Sequence, residues 1–206
     1  MTQSIILACG NPLRGDDGAA LQIACNLQEG YAEPETEIRC AQQWTPELAE
    51  SISHSELAIF VDASATIPAG HLQLQKITCG PAKTRVITHS MDPCTLLGLA
   101  RELFGAAPCR AFLLTIGAET FELGEGLSPA VKHAVPAAMD QIKALLSGVR
   151  LPEGEALPPA VNYWNREWLR TCDLSRDWAV ISYQFSVISK GKAVRFGGGS
   201  RVARGM

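Results

Sequence analysis

No excess of basic charge marks this 206-residue sequence: 18 Lys and Arg stand against 21 Asp and Glu, a formal net charge of −3. That balance argues against nucleic acid or an anionic membrane as partner of the whole chain. No stretch approaches the roughly 18 consecutive apolar residues of a membrane-spanning helix. Met1-Thr2-Gln3-Ser4 lacks the basic start of a secretory signal, and the apolar run behind it is too short for one. A cytoplasmic protein without membrane insertion is expected. There is no C-x-x-C pair among the seven cysteines, which excludes a zinc knuckle and a thioredoxin-like site. Cys9 and Cys109 sit in strand-like runs and Cys25 on an apolar helix face, so all three are expected as buried thiols, in keeping with a reducing compartment. Also missing are G-x-S-x-G, H-E-x-x-H and a Walker lysine, which removes the commonest hydrolase and NTPase chemistries. No internal repeat is visible.

What is present is an alternation of apolar runs and amphipathic stretches. Ser4–Cys9 reads as a buried strand, and in Asp17–Gln28 the residues Ala20, Ile23, Ala24 and Leu27 share one helical face. Glu35–Cys40 is a second strand. At Thr45-Pro46 a helix starts, with Thr45 as its cap. Leu57–Val61 is apolar throughout, as a central parallel strand covered on both faces must be, and it ends in Asp62. The alternation over His71–Ile77 predicts a half-exposed edge strand. Arg85–Thr88 is short and extended. Ser90–Phe104 is a helix capped by Ser90 or Asp92, its inner face being Leu96, Leu97, Ala100, Leu103 and Phe104. Arg110–Ile116 is a strand, Gly117–Ser128 a loop, and Ser128-Pro129 opens a helical pattern that Pro136 interrupts. The whole predicts an α/β three-layer sandwich with a mostly parallel mixed sheet and one antiparallel edge.

That domain spans 1–150. Residues 151–206 differ in kind: a Pro-rich entry, three of the four tryptophans, a possible strand at Val180–Ile188 and a mildly basic balance, against the acidic balance of the first part. This extension has no fold assigned from sequence.

Chemistry is expected at the carboxyl ends of the strands, where ligands bind in open α/β sheets. Asp16 and Asp17 follow the first strand in Cys9-Gly10-Asn11-Pro12-Leu13-Arg14-Gly15-Asp16-Asp17-Gly18. Such glycine-bearing strand–loop–helix junctions commonly cradle phosphate, but two adjacent carboxylates repel an anion and suit a cation. Asp62 ends the central strand, and His89 follows the short extended segment. Two carboxylates and an imidazole form a donor set for zinc, nickel or a similar ion. They also suit acid–base work, since close carboxylates raise one another's pKa. The plainer roles are a helix cap for Asp16 and structural or exposed positions for His54, His71 and His133.

Gly10-Asn11-Pro12-Leu13-Arg14-Gly15-Asp16-Asp17-Gly18, Val61-Asp62-Ala63 and Thr88-His89-Ser90, with Ile116-Gly117-Ala118-Glu119 and Gly124–Val131, resemble in order the motifs of the nickel–iron hydrogenase maturation proteases. The resemblance covers about Ser4 to Leu146. It implies an endopeptidase that removes a C-terminal extension from the precursor of the hydrogenase large subunit once nickel is loaded. It implies that Asp17, Asp62 and His89 are both the metal-contacting and the catalytic positions, the nickel being carried by the substrate. Some members have Glu where this chain has the shorter Asp17. Asp16 would orient its loop by capping the helix, and Glu119 and Glu125 are candidates to line the cleft. Activation of water by a carboxylate or by the metal stays open. A non-catalytic nickel-binding or chaperone module with the same three ligands is the alternative; the acid pair disfavours a flavodoxin-like nucleotide binder.

Overall fold

A computed structural model describes residues 2–30, 35–78, 91–148 and 156–157. The chain divides into two compact units, Met1–Asn165 and Arg166–Met206, and every described residue belongs to the first. The expected boundary at 150/151, the segment Arg85–Thr88 and the possible strand Val180–Ile188 lie outside the described residues.

The strands are β1 (Thr2–Cys9), β2 (Thr36–Ala41), β3 (Ser55–Ser64), β4 (Leu72–Lys76), β5 (Arg110–Gly117) and the two-residue β6 (Ala156–Leu157). The helices are α1 (Ala19–Gly30), entered through a 3-10 turn at Gly15–Gly18, then α2 (Leu48–Ser53), α3 (Pro93–Phe104) and α4 (Pro129–Leu146). The sheet order is β2-β1-β3-β5-β4-β6. β2, β1, β3 and β5 run parallel, and β4 joins β5 antiparallel. This is the expected α/β sandwich with a mostly parallel mixed sheet.

Strand alternation divides the core into two apolar layers. Ile6, Ala8, Leu57, Ile59 and Val61 point to one face, where Ala20, Ile23, Ala24 and Leu27 of α1 and Val131, Ala138 and Ile142 of α4 cover them. Ile5, Leu7, Ala58 and Phe60 point to the other, under Ile52 of α2 and Leu96, Leu97 and Ala100 of α3. Phe60 and Ile59 are fully buried on opposite sides of one strand. Burial of each such side chain contributes about 1.5–3 kcal/mol, so β3 cannot slip by a residue without exchanging its two faces.

Several local expectations are corrected. Helix α2 begins at Leu48, not at Thr45: the Leu48 N–H donates to the Thr45 carbonyl (3.1 Å) as a turn. Of the two candidate caps for α3, Asp92 is the one the structure describes, its Oδ1 accepting the Thr95 N–H at 2.7 Å. Leu103 and Phe104, expected inward, are 62% and 45% exposed at the end of α3. Pro136 does not break α4, which is continuous from Pro129 to Leu146. The proline ring faces solvent, so the carbonyl its missing N–H would have paired lies on the water-facing side. Cys25 and Cys109 are exposed rather than buried; Cys9 is buried, and all five described cysteines are unbridged.

Candidate functional site

The carboxyl ends of β1, β3 and β5 lie side by side, and the loops leaving them form one rim. β1 ends at Cys9, and Gly10 follows with its N–H donating to the Ala41 carbonyl (3.0 Å). A Cβ on Gly10 would overlap the Asp17 carbonyl oxygen, so only glycine lets the loop fold back on itself there. That fold returns Asp17 to the mouth of the strand it left: Asp17 Oδ2 accepts the Asn11 N–H at 3.0 Å. The strand end of β5 is closed in the same way. A Cβ on Gly117 would overlap the Pro68 carbonyl oxygen, where the loop after β3 crosses it.

Asp62 lies in β3 opposite Thr115 of β5, and β3 continues past it to Ser64. Its Oδ1 accepts the Ala63 N–H (2.9 Å), and the Trp44 side chain donates to the same carboxylate. Burial pushes the Asp62 pKa up from 3.8 to about 6; those two hydrogen bonds oppose the rise, and the negative charge of Asp17 adds to it. Cys9 feels the same fields. Burial, then Asp62, then Asp17 raise its pKa from 9.0 to about 12. A thiol so placed stays protonated at neutral pH, which excludes Cys9 as a thiolate nucleophile. Asp17 and Asp62 therefore share one rim and act on each other electrostatically.

Asp16 has another fate. It is fully buried. Oδ2 accepts the N–H groups of Glu119 (2.8 Å) and Thr120 (3.3 Å), and Oδ1 accepts that of Ser128 (2.6 Å). The expected cap on its own helix is not formed, since the turn at Gly15–Gly18 has no side-chain cap. Asp16 instead ties the loop between β5 and α4 to the loop after β1. Backbone bonds complete the seam: Gly15 N–H to Gly124 C=O (2.8 Å), Asp16 N–H to Thr120 C=O (3.2 Å) and Gly124 N–H to Leu13 C=O (3.0 Å). Glu119 and Glu125 are exposed on this second loop.

His89, the third expected ligand, lies outside the described residues. Among the described residues no three His, Cys, Asp or Glu side chains form a group able to hold a metal. His54 and His133 are exposed, and His71 Nδ1 lies 3.4 Å from the Ala69 carbonyl. Sequence reasoning missed Trp44. It packs edge-on against Phe60, ring centroids 5.5 Å apart, while its indole reaches Asp62. Its place in the loop after β2 was the available signal, since a tryptophan buried there needs a partner for its N–H.

Fold and rim together define an α/β protein with a carboxylate pair at the carboxyl ends of parallel strands. No protein-family model matches the chain, and no curated protein matches it in sequence. Solved structures do match. The hydrogenase maturating endopeptidase HybD from E. coli shares 24% identity over 71% of this chain and 93% of its own, with a TM-score of 0.57. An endopeptidase from Escherichia coli shares 26% over 76% and 97%, TM-score 0.57. The NiFe hydrogenase maturation protease HycI from Thermococcus kodakarensis KOD1 shares 24% over 71% and 93%, TM-score 0.54. The fold of this chain is that of the hydrogenase maturation endopeptidases, and the likeness expected from the motifs holds in three dimensions.

Proposed function

We propose that this protein is a hydrogenase maturation endopeptidase. It removes the C-terminal extension from the precursor of a nickel–iron hydrogenase large subunit and recognises the nickel that the precursor carries. The observation that carries the reading is the Asp17–Asp62 pair: two half-buried carboxylates, one in the turn that follows β1 and one near the end of the neighbouring β3, close enough for the charge of Asp17 to add to the raised pKa of Asp62. A pair held that way gains most from an arriving cation, which removes the repulsion and draws the Asp62 proton off.

Asp17 and Asp62 supply oxygen donors and His89 a nitrogen donor to open positions on the substrate's nickel. The metal then serves as a tag that the precursor is loaded. Either the metal or a carboxylate would polarise the attacking water. Asp62, with a pKa of about 6, is matched to proton transfer near neutral pH. Trp44 holds that carboxylate in place. The partner is the precursor itself, and the cytoplasm is the compartment where it is loaded. No described helix is long and apolar enough to cross a membrane.

The test is to mix the protein with nickel-loaded and nickel-free precursor and follow the size shift. Cleavage of the loaded form alone is expected. Binding of the loaded form without any cleavage would leave a nickel-sensing chaperone in place of a protease.

A further inference from the structure

Two large apolar side chains stand in water on the same rim. Leu13 is 55% exposed and Leu123 is 88% exposed. They belong to different loops, yet the backbone joins them. The Leu13 carbonyl accepts the Gly124 N–H, Arg14 and Gly124 form a parallel bridge, and Arg14 Nε donates to the Phe121 carbonyl at 3.2 Å. The tip they make is built on the Asp16 knot, so its position is fixed before anything binds. The exposed Glu119, Glu122 and Glu125 lie on the same loop as Leu123, and among the described residues Arg14 is the cation bonded to that loop. The tip thus offers a rigid apolar contact inside a negative field, four residues from Asp17.

We propose that Leu13 and Leu123 form a docking lip for the precursor segment next to the scissile bond, taking an apolar side chain flanked by basic groups, with Asp16 as the positioning residue that holds the lip. This rests on the endopeptidase reading and names how its substrate is gripped. A preformed apolar contact costs little ordering on binding. The carboxylates around it favour a basic partner and speed its approach.

Both binding and processing of nickel-loaded precursor by the full chain test the proposal. Leu13→Ser with Leu123→Ser raises Kd and KM about tenfold, the loss expected for removing modest apolar burial, and leaves kcat within about twofold. Glu122→Gln with Glu125→Gln weakens binding about threefold and flattens its salt dependence. Asp16→Asn keeps size and one acceptor oxygen. It speeds hydrogen exchange at the Glu119, Thr120 and Ser128 amides and raises KM, and in its background the leucine pair costs much less than in the native chain.

Cleavage by the native chain with Kd and KM unmoved by the leucine pair overturns the lip and leaves the endopeptidase reading standing. Leucine-dependent binding without cleavage does the reverse. A change in oligomeric mass with precursor binding unaltered would assign the lip to a second copy and overturn the proposal. Full additivity of Asp16→Asn with the leucine pair removes the positioning role. If Asp16→Asn does not fold, the leucine and glutamate variants still decide the lip.

Discussion

Asp16 and Asp17 are neighbours in sequence and opposites in surroundings. Asp16 is buried at the junction of two loops with three backbone N–H donors on its oxygens. Asp17 is half-buried at the rim, accepts the Asn11 N–H, and faces a second acid, Asp62, across the strand ends. The first carboxylate is saturated by its own chain. The second pair lacks compensation by any described cation. Among the described residues, the backbone donors gathered on Asp16 hold the loop, while Asp17 keeps a partly exposed edge at the rim.

The sharpest way to break that contrast is Asp17→Asn and Asp62→Asn, one at a time. Each should lower processing about 10³-fold or more, about 4 kcal/mol of transition-state stabilisation, with the thermal midpoint not lowered. Unaltered cleavage in either variant removes that residue from the site. His89→Ala should match them. Asp16→Ala should do the opposite: cost about 3–4 kcal/mol in urea unfolding, because three buried N–H groups lose their acceptor. A loss below about 1 kcal/mol would mean water or another acceptor takes its place.

Smaller, and specific in sign, is the pH effect of Asp62. Its folded pKa of about 6 lies above the ordinary 3.8, so the folded chain binds the proton more tightly than the unfolded one. Stability should therefore fall as pH rises from about 4 to about 6, by at most about 3 kcal/mol, and stay level above that. Asp62→Asn should abolish this slope and be the more stable protein at pH 8, as read by urea midpoints at several pH values. A parallel slope in the variant would assign the effect elsewhere. In the native protein, processing should weaken as the pH drops through about 6, where the carboxylate takes up its proton. The smallest effect is that of Trp44→Phe. It keeps an aromatic ring against Phe60 but removes the indole donor, a hydrogen bond to a charged group worth about 1.5 kcal/mol. The acid limb of the processing profile should move to higher pH by up to about one unit, and no movement would show that the indole does not tune Asp62.

Much of the fold was legible because the code for it is local. Ile23, Ala24 and Leu27 recur at helical spacing and are all buried on α1, and the apolar run Leu57–Val61 is the doubly covered β3. Periodicity gives the phase of a face but not where its cover stops. Leu103 and Phe104 therefore read as core and stand at a helix end in solvent. Pro136 read as a break because a sequence does not say which carbonyl faces water. At the site, Asp17 could be placed after the first strand and Asp62 near the end of the central one from the chain alone, although β3 runs on to Ser64. The role of Asp16 could not, since its partners are 103, 104 and 112 residues away. Trp44 escaped for a related reason: its indole is defined by where it points.

The buried Cys9 has a practical consequence. Alkylating reagents react with thiolates, and burial, helped by the neighbouring Asp62 and Asp17, keeps this sulfur protonated far above neutral pH. Cys25, exposed on α1, is accessible to maleimide or iodoacetamide, and so are the exposed Cys40, Cys94 and Cys109. Fluorescent reporters placed on the exposed thiols of the native protein would therefore leave Cys9 unmodified beside Asp17 and Asp62.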